Sequence, residues 1–172
     1  MDIDPGIKKA LDLGADFCDI RMGEVTSSAL SIKNGNVDRI SCGERTAFSV
    51  RVVHRGGMGF VSSDNPADLM KAVERAYKFA KTSKRSLGIK LAKTPVVVDR
   101  VKREFKINPL DVPIDKKVKD LLEIESKKTE GIVSTHLSYS DSTGNFMYQN
   151  TDGSEIDEWE VVTIMYAIAY AK

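Results

Sequence analysis

The sequence predicts an α+β fold: an antiparallel sheet of hairpins packed by helices (helix, four to five strands, helix), followed by a second helix and an antiparallel meander that looks incomplete. Three observations carry this prediction. Asn34-Gly35 stands between two alternating runs, and a type I′ turn needs φ > 0 at both central residues, which Asn and Gly supply. Asn65-Pro66-Ala67-Asp68 opens an apolar stripe at helical spacing. From Ile132 onward, alternation returns between the turn-forming groups Ser142-Thr143-Gly144 and Thr151-Asp152-Gly153.

In chain order, Asp4 as N-cap and Pro5 open a short helix to about Leu13, ended by Gly14. Phe17 to Glu24 alternates and reads as a first strand; 28–33 and 36–41 form the Asn-Gly hairpin. Ile32 and Val37 share a face, but Ile40 falls out of phase, so a bulge is expected near Asp38-Arg39. Residues 46–54 and 58–62 form a second hairpin around Arg55-Gly56-Gly57. Asn65 caps the next helix, Pro66 takes its first position and Asp68 sits where a capping-box acid would. Leu69, Val73, Ala76, Tyr77 and Ala80 make its buried stripe. A connector with Pro95, Pro109 and Pro113 follows, holding an isolated strand at about 94–100. Asp115 caps a further amphipathic helix with Val118, Leu121 and Leu122. These features divide the chain into an amino-terminal α+β domain at 1–93, a connector at 94–113 and a second unit at 114–172.

The last strand is apolar on both parities, through Val161, Val162, Ile164, Met165, Tyr166 and Ile168. Such a strand wants neighbours on both sides and layers on both faces. The expectation is that these residues are part of a longer protein, and that on their own they associate through this strand.

The apolar fraction of 41% and charged fraction of 30% are those of a soluble globular protein. No apolar run reaches membrane-spanning length and no basic-then-apolar leader opens the 172 residues, so the cytoplasm is expected. Cys18 and Cys42 lie far apart in apolar strand contexts and read as two reduced, buried thiols. Net charge is +1, but ten Lys or Arg against two acids crowd residues 78–106, while twelve acids against six bases follow. A solvated helix end and connector explain the basic run better than nucleic-acid binding does, because no aromatic residues interleave with it.

Candidate functional residues are few. His54 ends a strand beside Gly56-Gly57 and reads as a hydrogen-bonded strand-end histidine; His136 shares parity with Ser134, Ser138 and Ser140 and reads as solvent-facing. Two roles compete at Arg51: a fork for a carboxylate of a peptide or partner subunit, and a cross-strand ion pair with an acid such as Asp19. Gly59 permits close backbone approach or a bulge, and Phe60 is most simply core. Phosphate loops and dinucleotide fingerprints are absent.

Several motifs recur in a fixed order: Gly14-Ala15-Asp16, Asn34-Gly35, Gly43, Val50-Arg51-Val52, Gly59-Phe60, Ser62-Ser63-Asp64-Asn65 and an Ala-rich helix with Ala72, Ala76 and Ala80. Tyr139-Ser140-Asp141 and Asn150-Thr151-Asp152-Gly153 continue the series, the latter where Asn-Ser-Asp-Gly is more usual. In this order they resemble the amino-terminal region of the TldD/PmbA family of zinc metalloproteases, also called modulators of DNA gyrase. The resemblance implies a peptidase subunit whose carboxyl-terminal half carries His-Glu-x-x-x-His, two histidines binding zinc and the glutamate serving as general base. It further implies peptide or unfolded-protein substrates and a homo- or hetero-oligomer with a related subunit. Neither His54 nor His136 is followed by glutamate, so no catalytic or metal residue carries over, and zinc is expected only for the intact protein. The chain would shape substrate access and subunit contacts. The alternatives are a non-catalytic protein- or nucleic-acid-interaction module, and the metal-free paralogue subunit of the same family.

Overall fold

A computed structural model describes residues 2–83 and 88–172. The elements run α1 (Asp4–Asp12), β1 (Phe17–Lys33), β2 (Asn36–His54), β3 (Gly57–Ser63), α2 (Leu69–Thr82), β4 (Val98–Lys102), α3 (Ile114–Ser126), β5 (Ile132–Asn150) and β6 (Glu155–Ala171), with short 3₁₀ turns at Pro66–Asp68 and Pro109–Asp111. The strands form one six-stranded sheet in the order β3-β2-β1-β5-β6-β4. This is the expected α+β architecture.

The strands are longer than the sequence suggested. Residues 25–27, 42–45 and 142–144 were expected to break the chain, yet β1, β2 and β5 run through them unbroken. Ser142-Thr143-Gly144 is therefore not a turn; Thr143 is 2% exposed inside β5. Pairing within the sheet satisfies the backbone there and overrides the local turn preference. The short strand expected at 94–100 as isolated is β4, and it pairs parallel to β6, Val98 opposite Glu155 through Lys102 opposite Trp159.

The Asn34-Gly35 turn, the end of α1 and the Asn65 cap are as expected. Asn34 and Gly35 have φ of 50° and 79°, and Gly14 ends α1 at 81°. Asn65 Oδ1 accepts from the Ala67 amide at 3.2 Å, and its Nδ2 donates to Asp68 Oδ2 at 3.2 Å. Two other caps differ from expectation. Ile3 precedes α1, and Asp4 instead pairs with Lys8 on the next turn. Pro113 precedes α3, leaving Asp115 in its first turn without a capping bond.

Two compact units are present: Met1–Glu24 with Arg45–Lys102 and Asn145–Trp159, and Val25–Glu44 with Arg103–Gly144 and Glu160–Lys172. In the first, α1 and α2 pack on a sheet face carrying Ile20, Met22, Val50 and Val52. Gly59 lies opposite Val52 on that face, and a Cβ there would collide with the Ala76 carbonyl of α2; Gly57 meets Ala80 in the same way. This close helix–strand approach is what Gly59 permits. Phe60, expected in the core, is 56% exposed. Opposite Arg51 in the ladder, it takes the other face from Gly59 and Val61, because successive side chains alternate.

In the second unit, α3 packs Leu121 against Leu30, Ile32 and Leu137, with Val118 and Leu122 at the margin. Ser31 Oγ donates to Asp38 Oδ2 at 2.9 Å, so Asp38 shares the face of β1 opposite Leu30 and Ile32. Val162, Ile164, Met165, Tyr166, Ile168 and Tyr170 of β6 are all exposed, on both parities.

Candidate functional site

The most developed polar site lies in the second unit, under α3. Lys117 and Glu125 fall eight residues apart, on the stripe that buries Leu121, and both are drawn inward. Lys117 Nζ donates to Asp141 Oδ2 at 2.5 Å and to Ser28 Oγ at 3.1 Å; Ser28 Oγ donates to Asp141 Oδ1 at 2.8 Å. The side chains of Lys117 and Asp141 are 7% and 0% exposed. Burial pushes the Asp141 carboxyl upward, but hydrogen bonds from Lys117, Tyr139 and Ser28 and the Lys117 charge outweigh it, so its pKa lies below the ordinary value. Tyr139 is pushed up to about 12 by burial and then by the adjacent Asp141.

A cleft of about 450 Å³ opens beside this network, lined by residues including Ser28, Cys42, Leu110, Val112, Ile114 and Lys117. A serine beside a lysine invites a nucleophile–base reading. The geometry opposes it, since Nζ serves as donor to both Ser28 and Asp141 and offers no lone pair to take the serine proton. The network fixes α3 onto β1 and β5.

At the other end of α3, Glu125 holds the Asn34-Gly35 turn. Its Oε1 accepts from Thr135 Oγ1 at 2.5 Å and from Lys128 Nζ at 3.2 Å. Asn34 Oδ1 accepts from the Thr135 amide at 2.9 Å and from Ser134 Oγ at 3.0 Å. The Thr135 hydroxyl is the main reason that the Glu125 pKa is lowered, with Lys128 and the Gly35 amide adding to it against burial. The turn is thus pinned to β5.

The residues singled out from sequence are dispersed. Arg51 donates through Nε to Asp19 Oδ2 at 2.9 Å, and Nη2 reaches the same oxygen; Asp19 is buried. Its fork is occupied by the cross-strand partner that the sequence offered as one of its two roles. His54 Nδ1 lies 2.9 Å from the Gly14 carbonyl and its ring packs on Tyr77, as a strand-end histidine should. His136 is half-buried, 3.4 Å from Ser138 Oγ. Lys84 and Arg85, part of the basic run, lie outside the described residues; Val98–Lys102 within it is an exposed strand. Lys117 and Asp141 were missed as a pair. The available signal was the 117-121-125 spacing, which puts a lysine and a glutamate on the stripe of Leu121.

Zinc needs three protein ligands in a catalytic site and four in a structural one. Among the described residues, no three or more of His, Cys, Asp and Glu gather as a metal-holding group. His54 belongs to the first unit and His136 to the second; Cys18 is buried as expected, whereas Cys42, also expected to be buried, lies in an exposed stretch of β2. The residues present do not fit a zinc ion, and no chemical step is routed through one.

Two domain descriptions of one family match in succession: PmbA/TldA metallopeptidase domain 1 over residues 18–80 and the PmbA/TldA metallopeptidase central domain over residues 107–171. The chain belongs to the PmbA/TldD family. A metalloprotease of Methanocaldococcus jannaschii is 34% identical over 171 residues, covering 96% of this chain and 38% of the relative. A metalloprotease of Synechocystis sp. is 30% identical over 162 residues, covering 86% and 33%. The chain therefore spans between a third and two fifths of the length of these curated relatives. The fold is shared with TldE from Thermococcus kodakarensis (TM-score 0.75, 16% identity, 99% of this chain and 39% of that one). It is shared also with a Thermotoga maritima protein described as a modulator of a DNA gyrase (TM-score 0.74, 18% identity, 98% and 39%). No helix among the described residues is long and apolar enough to cross a membrane.

Proposed function

We propose that this chain is the amino-terminal portion of a zinc-dependent peptidase of the PmbA/TldD family. It shapes substrate access and contacts a related subunit in the cytoplasm, while polypeptide outside the two matched domains holds the metal. The observation that carries this reading is the succession of domain 1 and the central domain in a chain that spans 38% of a metalloprotease. The exposed apolar residues of β6 support a further layer or subunit there, because uncovered patches of this kind mark interaction surfaces.

Metal analysis of tag-free protein tests where the chemistry resides. The 172-residue chain should bind no stoichiometric zinc and leave unfolded casein intact. The product of the complete reading frame should cleave casein and lose that activity to a chelator. One tightly held zinc per 172-residue chain would refute the assignment of the metal to other polypeptide, and a chelator-insensitive full-length protein would refute the peptidase reading.

A further inference from the structure

In the first unit, β1 buries Cys18, Ile20 and Met22 against the helices, so Arg21 emerges on the opposite sheet face, where it is exposed. Its guanidinium lies over the Tyr148 ring, 5.3 Å from the centroid. The ring is itself tied down, since Tyr148 Oη accepts from Asn150 Nδ2 at 3.1 Å. Among the described residues Arg21 makes no hydrogen bond and no ion pair; Asp19, the buried acid two residues away, is taken by Arg51.

A second aromatic ring lies close by on β5. Phe146, 38% exposed, lies against Gly23, where a Cβ would sit 3.0 Å from its ring. The missing side chain at Gly23 is what lets the ring lie down beside Arg21. A stacked guanidinium keeps its N–H edge free, is held in orientation by the ring, and matches a carboxylate bidentately.

We propose that this face, centred on Arg21, binds an extended acidic segment of a peptide substrate, a carboxylate on the Arg21 fork and an aromatic or aliphatic neighbour against Phe146. Charge complementarity selects the occupant. Arg21 is a cation without an acidic partner among the described residues, stacked on one ring and close to another, which suits an isolated Glu or Asp with an apolar residue two positions away. A polyanion would need a row of cations. In an extended segment side chains two apart share a face at about 7 Å spacing, so an acidic residue and an apolar residue two positions away meet such a surface together. The term substrate rests on the peptidase reading above, but binding does not require turnover.

The test is fluorescence anisotropy with fluorescein-labelled Ser-Val-Ser-Glu-Ser-Tyr-Ser-Thr, whose Val, Glu and Tyr share one face when extended, and its Gln-for-Glu counterpart, at low and physiological salt. The acidic peptide should saturate the 172-residue chain, and Arg21→Gln should weaken it by about tenfold. Arg21→Lys should also weaken it, because the fork and stack are lost, and Phe146→Ala should weaken both peptides alike. The Gln peptide should bind poorly and be insensitive to Arg21→Gln. Circular dichroism of each variant controls for folding. No saturable binding, equal affinity for the two peptides, an unaffected Arg21→Gln, or tighter binding of a labelled oligothymidylate would each overturn the inference. If the full-length protein fails to cleave while the acidic peptide still binds through Arg21, the peptidase reading falls and the binding face stands.

Discussion

Removing one partner of the Lys117–Asp141 pair should be among the most damaging single changes in this chain. The two side chains are 7% and 0% exposed, so neither charge can recruit water when the other disappears. Breaking a buried pair in this way costs about 3–5 kcal/mol, because the survivor remains desolvated and unpaired. The two single variants should differ. In Lys117→Met the Asp141 carboxylate keeps the donors Ser28 and Tyr139, which places the loss near 3 kcal/mol. In Asp141→Asn the lysine keeps the Ser28 oxygen, an amide oxygen and the Tyr139 ring at 5.7 Å but loses its buried counter-charge, which places it near 5 kcal/mol. For a chain of this size that is a fall in Tm of about 6–20 °C. Replacing the whole cluster by apolar groups (Ser28→Ala, Lys117→Met, Asp141→Leu) should recover most of the loss, since apolar replacement of buried ion pairs is often neutral or better. Urea denaturation followed by far-ultraviolet circular dichroism at pH 7 reads all three, with an unchanged m-value showing that the folded state is still the reference. A loss under about 1 kcal/mol for Asp141→Asn, or a triple variant less stable than either single one, would refute the claim that this pair is a buried, mutually dependent lock on α3.

Acid should unfold the chain in a defined window. Asp141 and Glu125 both have lowered pKa values in the folded state, so their contribution is fully present above the unfolded value of about 4 and is lost as pH falls through the folded values; a melting temperature unchanged between pH 6 and pH 3 would contradict this. Gly59→Ala should cost about 3 kcal/mol or more by driving a Cβ into the α2 backbone at Ala76, measured as a drop in the urea midpoint. Gly35→Val should cost about 1–2 kcal/mol, because a β-branched residue is strained at φ 79°; an unchanged midpoint would refute it. Thiol titration at neutral pH should find Cys42 reactive and Cys18 inert until urea is added, since Cys18 is buried, its thiol pushed up to about 12 by desolvation and then by the neighbouring Asp19; two fast thiols in the native chain would refute it.

Features that depend on near neighbours in the chain were legible before any coordinates. The Asn34-Gly35 turn, the Asn65 cap, the end of α1 at Gly14 and the stripe of α2 each follow from φ preferences, side-chain capping chemistry or helical spacing within a few residues. The fold class followed because alternating runs and amphipathic stripes must bury complementary faces. The family was legible from the order of short motifs.

Whatever depends on distant partners was decided by the tertiary structure. Residues 25–27, 42–45 and 142–144 look like breaks because each carries turn-forming or charged residues, yet pairing within the sheet makes the extended backbone the cheaper state. Phe60 looks like core by its chemistry, but strand parity in the β2–β3 ladder gives the inward place to Gly59, where the α2 backbone leaves no room for a side chain. Lys117, Ser28 and Asp141 come from a helix and two strands separated by 89, 24 and 113 positions, and nothing local distinguishes a lysine bound for solvent from one bound for a buried carboxylate. That choice is made only when α3 docks, because the free energy of a buried charge depends on the partner that the fold brings to it.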